Sequence, residues 1–204
     1  MATLTRVAAA ILAGGKAERL GGINKGLIEI GGQTLIDRAR DAVAGCAPIL
    51  VATGRTPFDA AGPTQVADLG TDYAGPLAGV AAVVDALLAT DVQLLLSLAV
   101  DTPFFPHDFL ARAMPLIEGA DAVIGCFGTQ DYPTNALWRL GAIRDLPDAV
   151  RNDTAPHSLK RLAARLRSVR LDYAGFAADD PFANANTPED LRYLQARAAR
   201  LSRG

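Results

Sequence analysis

Short apolar segments alternate with segments of helical periodicity along most of this 204-residue chain. Strands that are apolar without alternation are buried on both faces, and strands separated by helices pair in parallel. We therefore predict an α/β fold of three layers, in which a mostly parallel, twisted sheet carries helices on both faces in a Rossmann-like arrangement. The predicted strands are residues 7–12, 49–52, 92–99, 122–125 and 134–138, and the predicted helices are residues 35–44, 76–88, 107–117, 157–166 and 188–201.

The composition narrows the class of protein further. Hydrophobic residues make up 50% of the chain and charged residues 21%, so disorder is excluded and residues 1–204 are expected to form a single domain. A net charge of −2 argues against binding of duplex nucleic acid through general electrostatics. Because no apolar run could span a bilayer and the start lacks a signal-peptide pattern, we expect no membrane association and a cytoplasmic location. Two cysteines and two histidines are too few for a disulfide scaffold or a zinc ribbon.

A glycine-rich loop follows the first predicted strand. Residues 12–27 read LAGGKAERLGGINKGL and contain five glycines together with Arg19 and Lys25. Glycines let backbone N–H groups approach an anion closely, and the two cations add charge, so the loop suits a triphosphate. The loop matches neither the P-loop pattern nor the dinucleotide fingerprint. The alternative interpretation is an ordinary glycine-rich turn with Arg19 and Lys25 on its surface.

Asp101 is the strongest candidate for a metal ligand. It follows the most apolar predicted strand, and Pro103 and Pro106 force the chain to turn there. Ligands of α/β sheets bind outside the carboxyl ends of the strands, and Mg²⁺ takes one or two carboxylates together with phosphate oxygens and water. The alternative is an aspartate that caps the next turn.

Five segments of the chain resemble, in the same order, the motifs of the molybdenum cofactor guanylyltransferases. These enzymes are nucleotidyltransferases with the nucleotide-diphospho-sugar transferase-like fold. The segments are LAGGKAERLGGINKGL at 12–27, YAGPLAG at 73–79, VDTPFFP at 100–106, YPTNAL at 132–137 and FANANTPEDL at 182–191. The chain departs from the family motifs with Asn24 where aspartate is usual, Ala74 where proline is usual and Val100 where cysteine is usual.

The resemblance implies a reaction and a set of site residues. The reaction is the transfer of GMP from GTP to the molybdopterin cofactor with release of pyrophosphate and with Mg²⁺ as the metal. The implied catalytic residues are Arg19, Lys25 and Asp101, with Asp101 as the metal ligand. The implied binding residues are Leu12, Ala13, Gly14, Gly15, Lys25, Asp68, Asp101, Asn184 and Asn186. Transient contacts with molybdoenzymes or cofactor-delivery proteins are also implied.

Several roles and functions remain open at this point. Asp68 is placed by the resemblance at the guanine, where a carboxylate accepts from N1–H and the 2-amino group; it could equally bind a ribose or be a solvated loop acid. Asn184 and Asn186 flank the start of the last helix, where an asparagine of the resembled family approaches the metal or the acceptor; the alternative is that they cap the helix. The rival functions are a nucleotidyltransferase that uses CTP or a sugar phosphate, and a nucleotide-binding module without catalysis. Cytidylyl relatives tend to read L-A-A-G where this chain reads L-A-G-G, which favours GTP.

Overall fold

A seven-stranded sheet forms the middle layer of the computed structural model, which describes residues 5–14, 16–17, 23–55, 64–69 and 73–203. Its strands are β1 (Val7–Leu12), β2 (Ile49–Gly54), β3 (Gln65–Ala67), β4 (Leu94–Ala99), β5 (Ala122–Phe127), β6 (Gln130–Arg139) and β7 (Ser168–Asp172). They lie side by side in the order β7-β5-β6-β4-β1-β2-β3. Strand β6 runs antiparallel to both of its neighbours, and the other neighbouring pairs are parallel. The predicted mostly parallel sheet is therefore confirmed.

Helices cover both faces of this sheet. They are α1 (Leu35–Ala42), α2 (Pro76–Leu87), α3 (Phe109–Ile117), α4 (Leu146–Arg151), α5 (Leu159–Ala163) and α6 (Pro188–Leu201). Successive side chains of a strand point to opposite faces, and β1 shows the consequence. Ala9 and Ile11 belong to a core that includes residues of α1, α3 and α6, whereas Ala8 and Ala10 belong to a core that includes residues of α2, α4 and α5. The predicted three layers are confirmed.

The local signals for two of the helices agree with their observed starts. Helix α6 begins after Thr187, whose side chain accepts from the Asp190 backbone N–H while the Asp190 carboxylate accepts from the Thr187 backbone N–H. Helix α2 begins at Pro76, directly after Gly75, which has a φ of 80° that favours glycine. Among the described helices, none has the length and apolarity that crossing a membrane requires.

In the seven-stranded sheet and its covering helices, the sequence interpretation missed the two edge strands and one helix. It also missed two small two-stranded sheets, one of Lys16–Ala17 with Ile23–Asn24 and one of Glu29–Ile30 with Gln33–Thr34. In β7 only Leu171 is buried, and β3 is three residues long with no buried residue, so neither strand carries an apolar run. Helix α4 has six residues and was not predicted, and the helix predicted at 157–166 is confined to Leu159–Ala163. Strand β6 begins at Gln130 rather than at residue 134, because it forms a hairpin with β5 through Gly128, whose φ is 57°.

A charged pair joins the start of β5 to the segment before β7, and it makes the stability of the fold depend on pH. The Asp121 carboxylate accepts from Arg167 Nε at 3.0 Å and from Arg167 Nη2 at 2.8 Å. These hydrogen bonds lower the pKa of Asp121 from its usual 3.8 to about 2. A carboxylate with a lowered pKa stabilises the fold above its unfolded-state pKa, and this contribution is lost as the pH falls through the folded-state value.

We therefore expect Asp121→Asn to lower the free energy of unfolding at neutral pH. The difference from the unmodified protein should shrink as the pH falls from 3.8 to about 2. Urea denaturation over this pH range measures it. Asp91→Asn is the control, since Asp91 pairs with Arg6 at a site where both side chains are about two-thirds exposed. A difference for Asp121→Asn that does not change with pH would contradict the expectation.

Candidate functional site

A cleft of about 370 Å³ opens at the carboxyl ends of the central strands, where an α/β sheet binds its ligands. It is lined by the last residues of β1, β2 and β4 and by the loops that follow them and β3. The lining residues are Leu12, Gly14, Lys25, Ala52, Gly54, Arg55, Asp68, Ala74, Gly75, Pro76, Gly79, Ala99, Val100, Asp101, Thr134 and Asn184. Six predicted site residues are therefore brought together here: Leu12, Gly14, Lys25, Asp68, Asp101 and Asn184.

Lys25 and Asp101 form an ion pair at one end of this cleft. Lys25 Nζ lies 2.7 Å from Asp101 Oδ2 and also donates to Asn186 Oδ1. The Lys25 side chain is 20% exposed and that of Asp101 is 12% exposed, so water screens the pair only in part. Three predicted site residues from distant parts of the sequence thus meet at one ammonium group. A phosphate that reaches Lys25 meets a charge already held in place.

Asn24 holds the backbone that presents Lys25. Its Oδ1 atom accepts from the Gly26 backbone N–H at 2.9 Å and caps the short 3₁₀ turn Lys25–Leu27. An aspartate, which is usual in the motif that this segment resembles, would offer the same oxygen, so asparagine allows the same hydrogen bond without a negative charge beside Lys25. The local structural role therefore needs an oxygen acceptor rather than a carboxylate.

Asp101 is fixed by the segment that precedes α6. Its backbone carbonyl accepts from the Ala185 N–H at 3.0 Å. The neighbouring Thr102 hydroxyl donates to Asn184 Oδ1 at 3.2 Å. Asn184 is thus tied to the loop after β4, and Asn186 to Lys25. The two asparagines hold the last helix against the ion pair, beyond the helix capping that Thr187 and Asp190 already provide.

The carboxylate of Asp101 fits a magnesium site completed by a nucleotide. Mg²⁺ keeps several waters and binds through one or two carboxylates together with phosphate oxygens, so a single protein carboxylate in a cleft is sufficient. Within the described ranges no three His, Cys, Asp or Glu side chains cluster closely enough to hold a metal on their own. The donor set therefore suits a metal that arrives with phosphates, rather than a cage built wholly from protein side chains.

Asp68 lies at the opposite end of the cleft from Asp101. The order β4-β1-β2-β3 separates the two residues by three strand spacings, which is about 14 Å at about 4.8 Å each. Burial raises the pKa of Asp68, and the nearby Arg55 guanidinium acts in the opposite direction. Between the two ends lie small or apolar residues and the amino end of α2, where Gly75 and Pro76 line the wall.

The other predicted site residues are not among the described residues that line the cleft. Arg19 and Gly15 lie outside the described residues. Ala13 is buried in the core on the α1 side, and its backbone N–H donates to the Ala52 carbonyl at 2.8 Å, so its side chain does not line the cleft. Asn186 contacts Lys25 but is not itself a lining residue.

Two residues of this region were missed by the sequence interpretation. Arg55 directly follows β2 and lines the cleft; a cation just after a predicted strand was the available signal. Asn135 lies within a matched segment and is fully buried, and its Oδ1 accepts from the Ala99 N–H at 3.1 Å. Its Nδ2 atom has no hydrogen-bond partner among the described residues. Asn135 thus holds the end of β4, one residue before the turn that presents Asp101.

Comparison with known proteins gives consistent results in sequence and in structure. The family model described as the MobA-like NTP transferase domain matches residues 9–171. The chain is similar to molybdenum cofactor guanylyltransferases of Bradyrhizobium sp. (strain ORS 278), with 34% identity covering 97% of this chain and 95% of the relative, and of Rhodopseudomonas palustris (strain BisB5), with 35% identity covering 96% and 95%.

Solved structures share its fold at lower sequence identity. Molybdopterin-guanine dinucleotide biosynthesis protein A from Archaeoglobus fulgidus superposes with a TM-score of 0.74 at 21% identity, covering 95% of this chain and 99% of that chain. 2-C-methyl-D-erythritol 4-phosphate cytidylyltransferase from Thermus thermophilus superposes with a TM-score of 0.69 at 20% identity, covering 96% and 100%. These neighbours confirm the nucleotide-diphospho-sugar transferase-like fold.

Proposed function

This chain belongs to the molybdenum cofactor guanylyltransferase family of MobA-like NTP transferases, and from that premise we propose that it transfers GMP from GTP to molybdopterin and releases pyrophosphate. The observation that carries the proposal is the ion pair between Lys25 and Asp101 in a cleft at the strand ends. The pair places a cation for phosphate oxygens beside a carboxylate for a metal. The chain works as one domain in this proposal, because Asn186 reaches Lys25 from the segment before the last helix.

The reaction needs little covalent help from the protein. The phosphate oxygen of molybdopterin attacks the α-phosphorus of GTP, the bond from that phosphorus to the β-phosphate bridging oxygen breaks, and pyrophosphate leaves. The acceptor phosphate is already ionised, so no general base is required. Lys25 neutralises charge on the triphosphate, with Arg19 proposed to assist it from the same loop. Positioning and charge stabilisation by such fixed groups supply most of the rate in this class of reaction.

Asp101 is the residue that would hold Mg²⁺. When bound there, the metal supplies charge neutralisation at the phosphates and a template that orients them. Lys25 would have to exchange at least part of its contact with Asp101 for phosphate oxygens when nucleotide and metal enter. Asn186 keeps the ammonium group near the cleft during that exchange, because it contacts Lys25 independently of Asp101.

Two alternatives are distinguished by particular features of the cleft. A binding module without catalysis has less need of a metal carboxylate beside the phosphate-binding lysine, so the ion pair favours an enzyme. A cytidylyltransferase has the same fold, so the choice between GTP and CTP depends on the residues that contact the base. We propose that the base binds at the end of the cleft where Asp68 lies, called the base-binding end below. The carboxylate of Asp68 is suited to accept from the N1–H and 2-amino groups of guanine.

We expect the protein to bind Mg²⁺-GTP more tightly than Mg²⁺-ATP or Mg²⁺-CTP. Asp68→Asn should narrow the gap between GTP and the other two, because a neutral amide accepts less strongly than a carboxylate and cannot accept at both oxygens. Isothermal titration calorimetry of the three nucleotides measures the affinities. Equal affinities for the three nucleotides in the unmodified protein would contradict a specific guanylyl transfer and would indicate a nucleotidyltransferase of broader nucleotide specificity.

A further inference from the structure

Arg55 and Asp68 directly follow two neighbouring strands, β2 and β3, at the base-binding end of the cleft. Strands β2 and β3 are parallel neighbours, with Gly54 opposite Ala67. The Asp68 backbone N–H donates to the Gly54 carbonyl at 3.0 Å, so the hydrogen bonding between the two strands extends as far as Asp68. Both residues line the cleft. A ligand group at this end therefore meets a guanidinium and a carboxylate from adjacent strand ends.

The charges along the cleft are divided between its two ends. Among the described lining residues, the charged side chains are Lys25 and Asp101 at the β4 end and Arg55 and Asp68 at the β2–β3 end. The Arg55 guanidinium is close enough to Asp68 to favour the charged form of its carboxylate against the effect of burial. Each end thus presents one cation and one anion, and the Lys25 end is the one assigned to phosphates and metal.

The wall between the two ends consists of small and apolar residues. Leu12, Ala52 and Gly79 line it, and a Cβ atom on Gly79 would lie 3.1 Å from Ala52 Cβ and 3.3 Å from Leu12 Cδ2. Helix α2 therefore lies close to the sheet where β1 and β2 end. An apolar wall beside a paired cation and anion is the environment that a nucleobase requires, with its face on carbon atoms and its polar edge on the charges.

We propose that Arg55 is a specificity-determining residue that donates hydrogen bonds to O6 and N7 of guanine, beside the Asp68 carboxylate that accepts from N1–H and the 2-amino group. The inference rests on the proposed function and adds a residue to its base-binding end. Guanine presents two acceptors, N7 and O6, on its Hoogsteen edge, and two donors, N1–H and the 2-amino group, on the adjoining Watson–Crick edge, which matches an arginine next to an aspartate. Adenine presents a 6-amino donor toward the guanidinium and an N1 acceptor toward the carboxylate, so it is disfavoured at both groups.

The test is the binding of four Mg²⁺-nucleotides to the full chain by calorimetry: GTP, ITP, 7-deaza-GTP and ATP. ITP lacks the 2-amino group, and 7-deaza-GTP lacks N7. We expect Arg55→Met to weaken the binding of GTP and of ITP by the same factor, roughly tenfold. The affinity for ATP should remain nearly unchanged. The affinity difference between GTP and 7-deaza-GTP should disappear in this variant. Asp68→Asn should instead remove the difference between GTP and ITP.

Arg6→Met is the matched control, because Arg6 is an exposed arginine that precedes the amino end of β1 and pairs with Asp91. It should leave the affinities for all four nucleotides unchanged. An equal loss for all four nucleotides in Arg55→Met would place Arg55 on the sugar or phosphates and overturn the inference, and so would no loss at all. Failure of the proposed function is separate: the unmodified protein would then bind GTP but release no pyrophosphate with molybdopterin.

Discussion

Replacing Lys25 by alanine is expected to lower kcat for guanylyl transfer by roughly a hundredfold to a thousandfold while the protein remains folded. The loss of one preorganised hydrogen-bond donor at the developing charge of a transition state costs about 2.7–4 kcal/mol, and we expect a loss of this size for Lys25. Lys25 lies on a short 3₁₀ turn outside both cores, so the substitution leaves no cavity in them. Pyrophosphate release at saturating GTP and molybdopterin measures the loss, and calorimetry with GTP shows how much of it is ground-state binding.

Lys160→Ala is the matched control, because Lys160 is an exposed lysine of α5 that does not line the cleft. It should leave both kcat and KM unchanged. A wild-type kcat/KM in Lys25→Ala would remove this lysine from the reaction. The ion pair would then have to be regarded as a structural contact between the loop after β1 and the loop after β4.

Asp101→Asn is expected to raise the Mg²⁺ concentration needed for half-maximal activity and to lower the maximal rate, each by roughly an order of magnitude or more. The amide keeps an oxygen but loses the charge that a hard dication prefers. Binding of GTP without metal should change much less, because Asp101 repels phosphates rather than binding them. Titration of Mg²⁺ at saturating GTP, followed by pyrophosphate release, measures both quantities.

The ion pair between Lys25 and Asp101 also determines the effect that we expect Asp101→Asn to have on thermal stability. Lys25 already neutralises Asp101 when no metal is present, so the variant should lose a little thermal stability rather than gain it. Asp148→Asn serves as the control, since Asp148 pairs with Arg151 on the surface and is 78% exposed. If Asp101→Asn kept the Mg²⁺ midpoint and the maximal rate of the unmodified protein, Asp101 would be a turn residue and not a metal ligand.

The layers of the fold were predictable because apolar runs mark buried strands. Strand β4 has six buried residues in six positions, and its predicted range contains the observed one. Strands β3 and β7 lie at the edges of the sheet, where solvent replaces one neighbour, so their sequences need no apolar run and contain none. The antiparallel direction of β6 depended on a two-residue turn through Gly128, a signal that the strand pattern alone does not contain.

Site residues that directly follow a strand could be predicted from the sequence, whereas contacts between residues distant in the sequence could not. Asp101 and Asp68 were identified because each follows a strand or lies in a matched position, and both line the cleft. The contact between Lys25 and Asn186 joins residues 161 positions apart, and no spacing rule gives such a pair before the fold is known. Arg55 was missed because a single cation after a strand is indistinguishable from a surface charge until its neighbour on the next strand is known.

The most direct test of guanylyl transfer in this cleft is a product analysis with the purified full chain, Mg²⁺, GTP and molybdenum-loaded molybdopterin. We expect pyrophosphate and a guanine dinucleotide form of the cofactor to appear in equal amounts, only when both substrates are present, and far more slowly with CTP or ATP in place of GTP. Mass spectrometry of the cofactor and an enzyme-coupled assay of pyrophosphate give the two quantities from one reaction. Tight binding of GTP without pyrophosphate release, or equal product from CTP, would contradict the account.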